Sequence, residues 1–244
     1  MHSGIYTAYS GLKAQMSALD TLANNLANAN TAGFKEQKSF FTALHAAAES
    51  SRTPQLDAAI NTAVAVSSMP DLTGGSLAET HRDLVLAIVG KGFLTVQTPA
   101  GQRYSRNGSL ALNAQSVLCT SEGFPVLGER GPIVLGPGKI IINEQGEILV
   151  DGARIDRLKI AAFESPGTLI CEGGSLFAQP QGAPAAGAAS DAGIRQGYLE
   201  QSNVNPVLSM VRLVETMRQF EAIQKSIGLM LNEMDAKAIE KLPR

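Results

Sequence analysis

The chain has 244 residues, a formal net charge of −2 at pH 7 and an apolar fraction of 44%. The length suits one large domain or two smaller ones, and the apolar fraction is sufficient for a folded core. Because the charges are spread evenly and form no basic stripe, we expect neither nucleic acid nor an anionic membrane surface as a partner. The sequence contains no apolar run long enough to span a bilayer, so we expect no membrane insertion.

Residues 1–45 are predicted to contain the first helix of a stem, over residues 4 to about 31. Apolar residues repeat there every seven positions in two columns, which together form the a/d pattern of a coiled coil. Gly33, followed by Phe34, is predicted to end the helix. The two columns, together the predicted seam of this helix, are Ile5, Leu12, Leu19 and Leu26, and Tyr9, Met16 and Ala23.

Four asparagines, Asn24, Asn25, Asn28 and Asn30, lie close together near the end of this helix. Asparagine is unfavourable inside a helix, so such a dense group needs a reason. Asn24 and Asn28 share a helix face, and their amides can bond neighbouring helices or backbone carbonyls. We therefore predict that the four asparagines belong to an assembly interface. A frayed, solvated helix end is the alternative.

The middle of the chain changes character twice. Residues 46–72 contain no aromatic residue and show little periodicity, which predicts a linker or an extended arm. Over residues 73–195 short runs with a period of two alternate with glycine-rich turns, which predicts an all-β domain. Its core is expected to include Leu86, Ile88, Phe93 and Val96. Residues 178–193 are low in complexity and are predicted to form a surface loop.

Residues 196–244 are predicted to contain the second helix of the stem. Asn205 is the expected N-cap, and Pro206 is the expected first helical residue. The sequence thus predicts an α+β fold in which an all-β central domain lies between two terminal helices that pair as a coiled-coil-like stem. Its apolar columns are Leu213, Phe220, Ile227 and Met234, and the companions Met210, Met217, Gln224 and Leu231.

Two paired helices leave apolar surface uncovered, which favours self-assembly over an intramolecular hairpin that caps the β domain. An enzyme or a carbohydrate-binding module would need paired carboxylates or clustered aromatic residues, and neither pattern is present in the sequence. The histidines and cysteines lack the spacing of metal ligands, so we expect no metal, no cofactor and no catalysis. Cys119 and Cys171 are expected to be buried thiols, with a single disulfide as the alternative.

Three regions of the sequence resemble one known family. Residues 23–35, ANNLANANTAGFK, resemble the N-terminal signature of the flagellar rod and hook proteins. Residues 104–109, YSRNGS, and 123–128, GFPVLG, resemble the motifs of that family's β domain. Residues 199–207, LEQSNVNPV, and 218–221, RQFE, resemble its C-terminal signature, which includes Asn203. The match runs in order along nearly the whole chain, although Ala32 and Glu36 depart from the family pattern.

The resemblance implies a structural axial subunit of the bacterial flagellum that is not an enzyme. In this family the terminal helices form a tube around the export channel, and the β domain forms the outer layer. The implied partners are copies of the chain, other rod proteins and the flagellar type III export apparatus. The implied location is the basal-body rod, which crosses the periplasm and transmits torque.

Two finer expectations follow from the resemblance. Residues 1–12, MHSGIYTAYSGL, show no basic region followed by an apolar stretch, which agrees with export without a cleaved signal peptide. The short segment after the first helix favours a subunit of the proximal rod over one of the distal rod. A non-flagellar adhesin or tail component with coiled-coil ends is a further alternative.

Overall fold

The computed structural model describes residues 2–45, 62–173, 175–180, 182–184, 186–189 and 192–240. Within them the chain has a long helix near each end and a mostly β middle, which confirms the α+β class. It divides into two compact units. We call residues 1–26, 37–68 and 206–244 the helical unit, and residues 27–36 and 69–205 the β unit.

The helical unit contains both helices and a two-stranded sheet. Helix α1 spans His2–Ala27, and helix α2 spans Pro206–Glu240, so α2 begins at the predicted proline. Strand β1 (Gln37–His45) pairs with strand β2 (Thr62–Pro70). Neither helix is long and apolar enough to cross a membrane over the residues that the structure describes.

These two strands differ from the expectation for this region. The sequence pattern places residues 37–45 with the N-terminal helix and residues 62–70 in the linker, whereas both segments are extended. In β2, Thr62, Val64 and Val66 alternate with alanines, and this period of two is typical of a strand. Residues 46–61 of the predicted linker lie outside the described residues.

The β unit is built from short antiparallel strands joined by tight turns. Its strands are β3 (Leu77–Glu79), β4 (Leu86–Val89), β5 (Phe93–Thr98), β6 (Gly101–Ser105), β7 (Leu110–Leu112), β8 (Leu118–Thr120), β9 (Ile140–Ile142), β10 (Glu147–Val150), β11 (Ala153–Arg157), β12 (Ile160–Ala162), β13 (Ile170–Gly173), β14 (Leu176–Ala178), β15 (Gly187–Ala188), β16 (Gly193–Gln196) and β17 (Tyr198–Glu200). The largest sheet has the order β13-β14-β6-β5-β12-β15, and a second has the order β11-β10-β9. The remaining pairs are β16-β4, β17-β3 and β7-β8.

The order of these strands explains where the β unit ends. Strands β16 and β17 come late in the chain but pair with the early strands β4 and β3. The β unit therefore extends to residue 205, beyond the boundary predicted at residue 195, and it also includes residues 27–36. Part of the predicted surface loop forms β15, which pairs with β12.

The apolar core of the β unit forms around the residues expected from the sequence. Leu86, Ile88, Phe93 and Val96 are all at most 3% exposed. Phe93 belongs to a separate aromatic cluster, in which its ring makes edge contacts with those of Phe163 and Phe177. The main cluster also contains Leu94, Leu110, Leu118, Val126, Ile133, Leu135, Ile142, Ile148, Val150, Leu158 and Ile194.

Neither Cys119 nor Cys171, both within the described residues, forms a disulfide, so the disulfide alternative is not supported. Cys119 is buried, as predicted, and burial raises the pKa of its thiol. Cys171 is only half-buried.

Candidate assembly site

Helix α1 buries small side chains and exposes large apolar ones. Ala14 and Ala18 are at most 6% exposed, whereas Tyr9 is 63% and Met16 is 57% exposed. The other residues of the predicted seam, Leu12, Leu19 and Leu26, are half-buried, and Ala23 is exposed. The seam is thus largely uncovered within the chain. This is the reverse of an ordinary core helix, whose largest apolar side chains are buried.

On helix α2 one predicted column of the seam is half-buried, and the companion column is displaced by one residue. Leu213, Phe220 and Ile227 are half-buried, as an a/d column would be. The predicted companions Met210 and Met217 are 53% and 46% exposed, and Gln224 is exposed. The more buried companions are Ser209, Thr216 and Ile223.

This shift has a physical reason, because α2 carries apolar residues on several faces and the apolar pattern alone allows more than one register. A side-chain hydrogen bond joins the two helices, from Gln15 Nε2 on α1 to Gln219 Oε1 on α2, at 3.5 Å. This is a polar contact between described residues of the two helices, and coiled-coil pairing is not shown. The side chains of Ile5, Leu231 and Met234 lie outside the described residues.

A broad apolar surface remains uncovered on α2. Large exposed apolar patches are typical of interaction sites, whereas single exposed apolar residues are ordinary. The exposed large apolar residues of α2 are Val207, Leu208, Met210, Val211, Val214, Met217 and Leu229.

The asparagine cluster divides between two environments. Asn25 is fully buried, and its Nδ2 donates to the carbonyl oxygen of Gln37 at 2.8 Å. Its Oδ1 accepts from the Gln37 backbone N–H at 2.9 Å, so the side chain holds the start of β1 within the helical unit. Asn25 thus bonds inside the chain, whereas the sequence placed it in an assembly interface. Asn24 and Asn30 are exposed, and Asn28 Oδ1 accepts from the Thr31 hydroxyl at 3.2 Å.

A second group of functional candidates lies inside the β unit, where the segments next to the two helices meet. Lys35 is 2% exposed, and its Nζ donates to Glu200 Oε1 at 2.5 Å and to the Thr73 carbonyl oxygen at 2.8 Å. The same Glu200 oxygen accepts from the Gly75 backbone N–H at 3.1 Å. No role for Lys35 or Glu200 was predicted from the sequence. Their positions inside the two terminal signatures were the available signal.

Backbone hydrogen bonds and the Asn203 side chain complete this group. The Gly33 backbone N–H donates to the Glu200 carbonyl oxygen at 2.8 Å. Asn203 Oδ1 accepts from the Glu36 backbone N–H at 2.7 Å, and its Nδ2 donates to the Asp71 carbonyl oxygen at 2.8 Å. We call Gly33, Lys35, Glu36, Glu200 and Asn203 the clasp.

Gly33 is required by a close approach of two backbones. Its φ is +67°, in the left-handed region that favours glycine. A Cβ at this position would lie 2.4 Å from the backbone carbon of Arg106 and from the backbone nitrogen of Asn107. Gly33 was predicted to end α1, but α1 ends at Ala27, and Gly33 instead packs its segment against the YSRNGS motif. Phe34 beside it is buried.

A second buried cation faces the clasp. Arg106 Nη1 lies 3.5 Å from Glu200 Oε2, and the guanidinium donates to the carbonyl oxygens of Ile88 and Gly90. Burial lowers the pKa of both Lys35 and Arg106, and the Glu200 carboxylate partly opposes both shifts. Glu200 Oε2 accepts no hydrogen bond within the described part of the chain. One buried carboxylate is thus shared by two buried cations.

A metal centre would require clustered ligands, and a sugar-binding module would require an exposed aromatic face. Among the described residues, no group of three potential metal ligands occurs. A cavity of about 780 Å³ lies in the β unit, and Tyr104 is the aromatic residue among its described lining. Tyr104 is only 7% exposed, so it offers no open face for a sugar ring.

Three family models match this chain in the order that the motifs follow. Residues 5–35 match the model described as flagella basal body rod protein. Residues 87–150 match the flagellar hook protein FlgE/F/G D1 domain, and residues 195–240 match the flagellar basal body rod FlgEFG protein C-terminal model. These matches define the class as rod and hook proteins of the flagellum.

Relatives that match over nearly the full length identify the family more closely. The flagellar basal-body rod protein FlgF of Caulobacter vibrioides is 32% identical over 240 residues, covering 96% of this chain and 96% of that protein. FlgF of Salmonella typhimurium is 34% identical and covers 99% of both chains. FlgG of Borreliella burgdorferi is 30% identical and covers 93% of this chain and 94% of its own. The chain therefore belongs to the flagellar basal-body rod proteins, as a structural rod subunit of the FlgF type.

Proposed function

We propose that this chain is a subunit of the proximal rod, and that it assembles through α1 and α2 with copies of itself and with other rod proteins. The observation that carries the proposal is the uncovered apolar surface of both helices. Tyr9 and Met16 on α1, and Val207 and Met210 on α2, are each more than half exposed. When neighbouring helices cover exposed apolar side chains, the removal of those side chains from water stabilises the helices.

In this proposal the helices surround the export channel and the β unit forms the outer part of the rod. The assembled rod crosses the periplasm and transmits torque, and the chain is exported by the type III apparatus without a cleaved signal peptide. The role is structural and involves neither catalysis nor a cofactor. The FlgF relatives support the proximal position, and the FlgG relatives make the distal rod the competing position.

Complementation tests this proposal directly. A strain of the source bacterium that lacks the gene for this chain should be non-motile, and the wild-type gene should restore swimming. Gold labelling of a tagged copy in purified basal bodies should place the chain at the membrane-proximal end of the rod. A label at the distal end would assign the chain to the distal rod, and a chain absent from intact basal bodies would overturn the proposal.

A further inference from the structure

We propose that the clasp is a positioning device for assembly, which holds the segment after α1 and the segment before α2 in one fixed register. This inference rests on the proposed function, because it assigns the residues that prepare the two helices for docking. Lys35, Glu200 and Asn203 are the positioning residues, and none of them lies on a helix.

The clasp lies in the two chain segments that follow α1 and precede α2. Residues 28–34 separate Lys35 from the end of α1, and Val204 and Asn205 separate Asn203 from the start of α2. The hydrogen bond from Gly33 to Glu200, and that from Glu36 to Asn203, join these two segments directly. The chain segments that lead into the two helices cannot separate unless the clasp opens.

Each of the two segments supplies the charged partner of the other. A buried charge is costly unless it is paired and hydrogen-bonded. Lys35 has its carboxylate partner only when residue 200 is in place, and Glu200 has its closest cation only when residue 35 is in place. The buried ion pair therefore forms only when residues 35 and 200 are both in place.

The clasp uses a buried ion pair at a position where apolar packing could also stabilise the fold. Apolar residues of similar volume often stabilise a fold as well as a buried ion pair does, so stability alone does not require these residues. An ion pair has a defined geometry, however, and a slip of one residue in either segment would leave Lys35 without Glu200. The Asn203 side chain adds one directional hydrogen bond between the two segments, because its Oδ1 accepts from the Glu36 backbone N–H. Its Nδ2 donates to the carbonyl oxygens of Asp71 and Thr73, which fixes the orientation of the amide.

The test compares clasp variants with core variants of equal thermal stability in the full-length chain. The clasp variants are Lys35→Met and Asn203→Ala, and the controls come from Ile148→Val and Leu118→Ala in the core of the β unit. Each clasp variant is matched to the control with the same melting temperature. Both sets are then assayed for swimming and for assembled rods in the strain that lacks the gene.

We expect the clasp variants to lose assembly and the matched core variants to retain it. Lys35→Arg keeps the charge and should assemble better than Lys35→Met. Asn203→Ala leaves the buried ion pair intact, so it provides a folded variant even where Lys35→Met does not fold. If the clasp variants assemble as well as their matched controls, the clasp is merely structural and the inference is wrong.

Hydrogen exchange in the purified chain provides a second readout. Asn203→Ala should increase exchange at the backbone amides of Gly33 and Glu36, whereas a core control of equal stability should leave them protected. Unchanged protection of these amides in Asn203→Ala would also overturn the inference. Complementation with the wild-type gene distinguishes failure of the proposed function from failure of the clasp inference. If it fails to restore swimming, the proposed function fails, and if it succeeds while clasp and core variants behave alike, only the clasp inference fails.

Discussion

The β unit and the helical unit treat their apolar residues in opposite ways. In the β unit, Leu86, Leu94 and Val96 are completely buried in a core drawn from several sheets. In the helical unit, Tyr9 remains 63% exposed and Val207 remains 72% exposed. The comparison indicates that the β unit buries its large apolar residues within the chain, whereas the helices leave several of theirs exposed. In the proposed function, neighbouring chains would cover these exposed residues.

Buried polar residues, unlike the apolar ones, are treated alike in the two units. The β unit can bury Lys35, Glu200 and Arg106 because its fixed backbone supplies partners for them. Within the helical unit, the fully buried polar residue Asn25 also bonds to backbone, at Gln37. Buried polar groups in both units thus bond within the single chain, and the exposed apolar groups of the helices are the ones that we propose for assembly.

The largest expected effect is the loss of assembly when a charge enters a helix seam. Full burial of a leucine or phenylalanine side chain contributes roughly 1.5–3 kcal/mol, and an assembled interface would supply the part that Leu19 and Phe220, already half-buried, do not gain within the chain. Leu19→Asp or Phe220→Glu removes that contribution, and an unpaired buried charge costs several kcal/mol more. We expect rods to be absent and cells to be non-motile, while the unfolding of the β unit, followed by calorimetry, stays as in the wild type.

Two kinds of control test whether the loss of assembly is specific to the helix seams. Ser17→Asp and Ala222→Glu place the same charges at exposed positions off the predicted seams, and they should retain assembly. Phe93→Ala in the aromatic cluster should instead destabilise the β unit by about 3–5 kcal/mol. Normal swimming and complete basal bodies in Leu19→Asp cells would show that the helix seams are not the assembly surface.

A smaller effect is expected at Gly33. In Gly33→Ala the new methyl group overlaps the backbone at Arg106 and Asn107, and such overpacking costs about 1–3 kcal/mol. The left-handed backbone adds about 1–2 kcal/mol for a residue with a Cβ. Gly123→Ala is the matched control, because Gly123 also has a positive φ of +86° but no atom lies within 4 Å of its Cβ position. Urea unfolding should therefore show a larger loss for Gly33→Ala, and equal losses would contradict the close approach.

The sequence predicted the elements that depend on local pattern. Heptad spacing located both helices, and Pro206 marked the start of α2 because a proline is favoured in the first turn of a helix. Alternation and turn residues located the β unit and its core residues Leu86 and Val96. These features depend on residues that are near one another in the chain, so one sequence is enough to reveal them.

Features that depend on distant residues were not predictable in this way. Glu200 is far from Lys35 in the sequence, and no local pattern indicates that the two side chains form a buried pair. The burial of Asn25 was missed for a similar reason, since its partner Gln37 begins a strand that the sequence pattern did not predict. In the companion column of α2, Ser209 is buried instead of the predicted Met210. Burial depends on which residues pack against the helix, whereas the sequence shows only which residues are apolar.

The smallest expected effect is a pH dependence of stability that distinguishes the buried Lys35 from the exposed surface of the helices. Burial lowers the pKa of Lys35 from its ordinary value of 10.5, with Arg106 acting in the same direction and Glu200 and Asp71 opposing it. In the window between the lowered pKa and 10.5, the unfolded chain binds more protons at this site than the folded chain. The contribution of Lys35 to the free energy of unfolding should therefore rise with pH through that window and be flat on either side.

Urea unfolding of the wild type and of Lys35→Met, from about pH 8 to about pH 11, measures this contribution as a difference. Tyr104 and Cys119, whose pKa values are raised by burial, are present in both proteins, so their effects cancel. The free energy of unfolding of the wild type should increase relative to that of Lys35→Met as the pH approaches 10.5. A relative decrease would mean that the attraction of Glu200 outweighs the cost of burial, and that the folded-state pKa of Lys35 lies above its ordinary value.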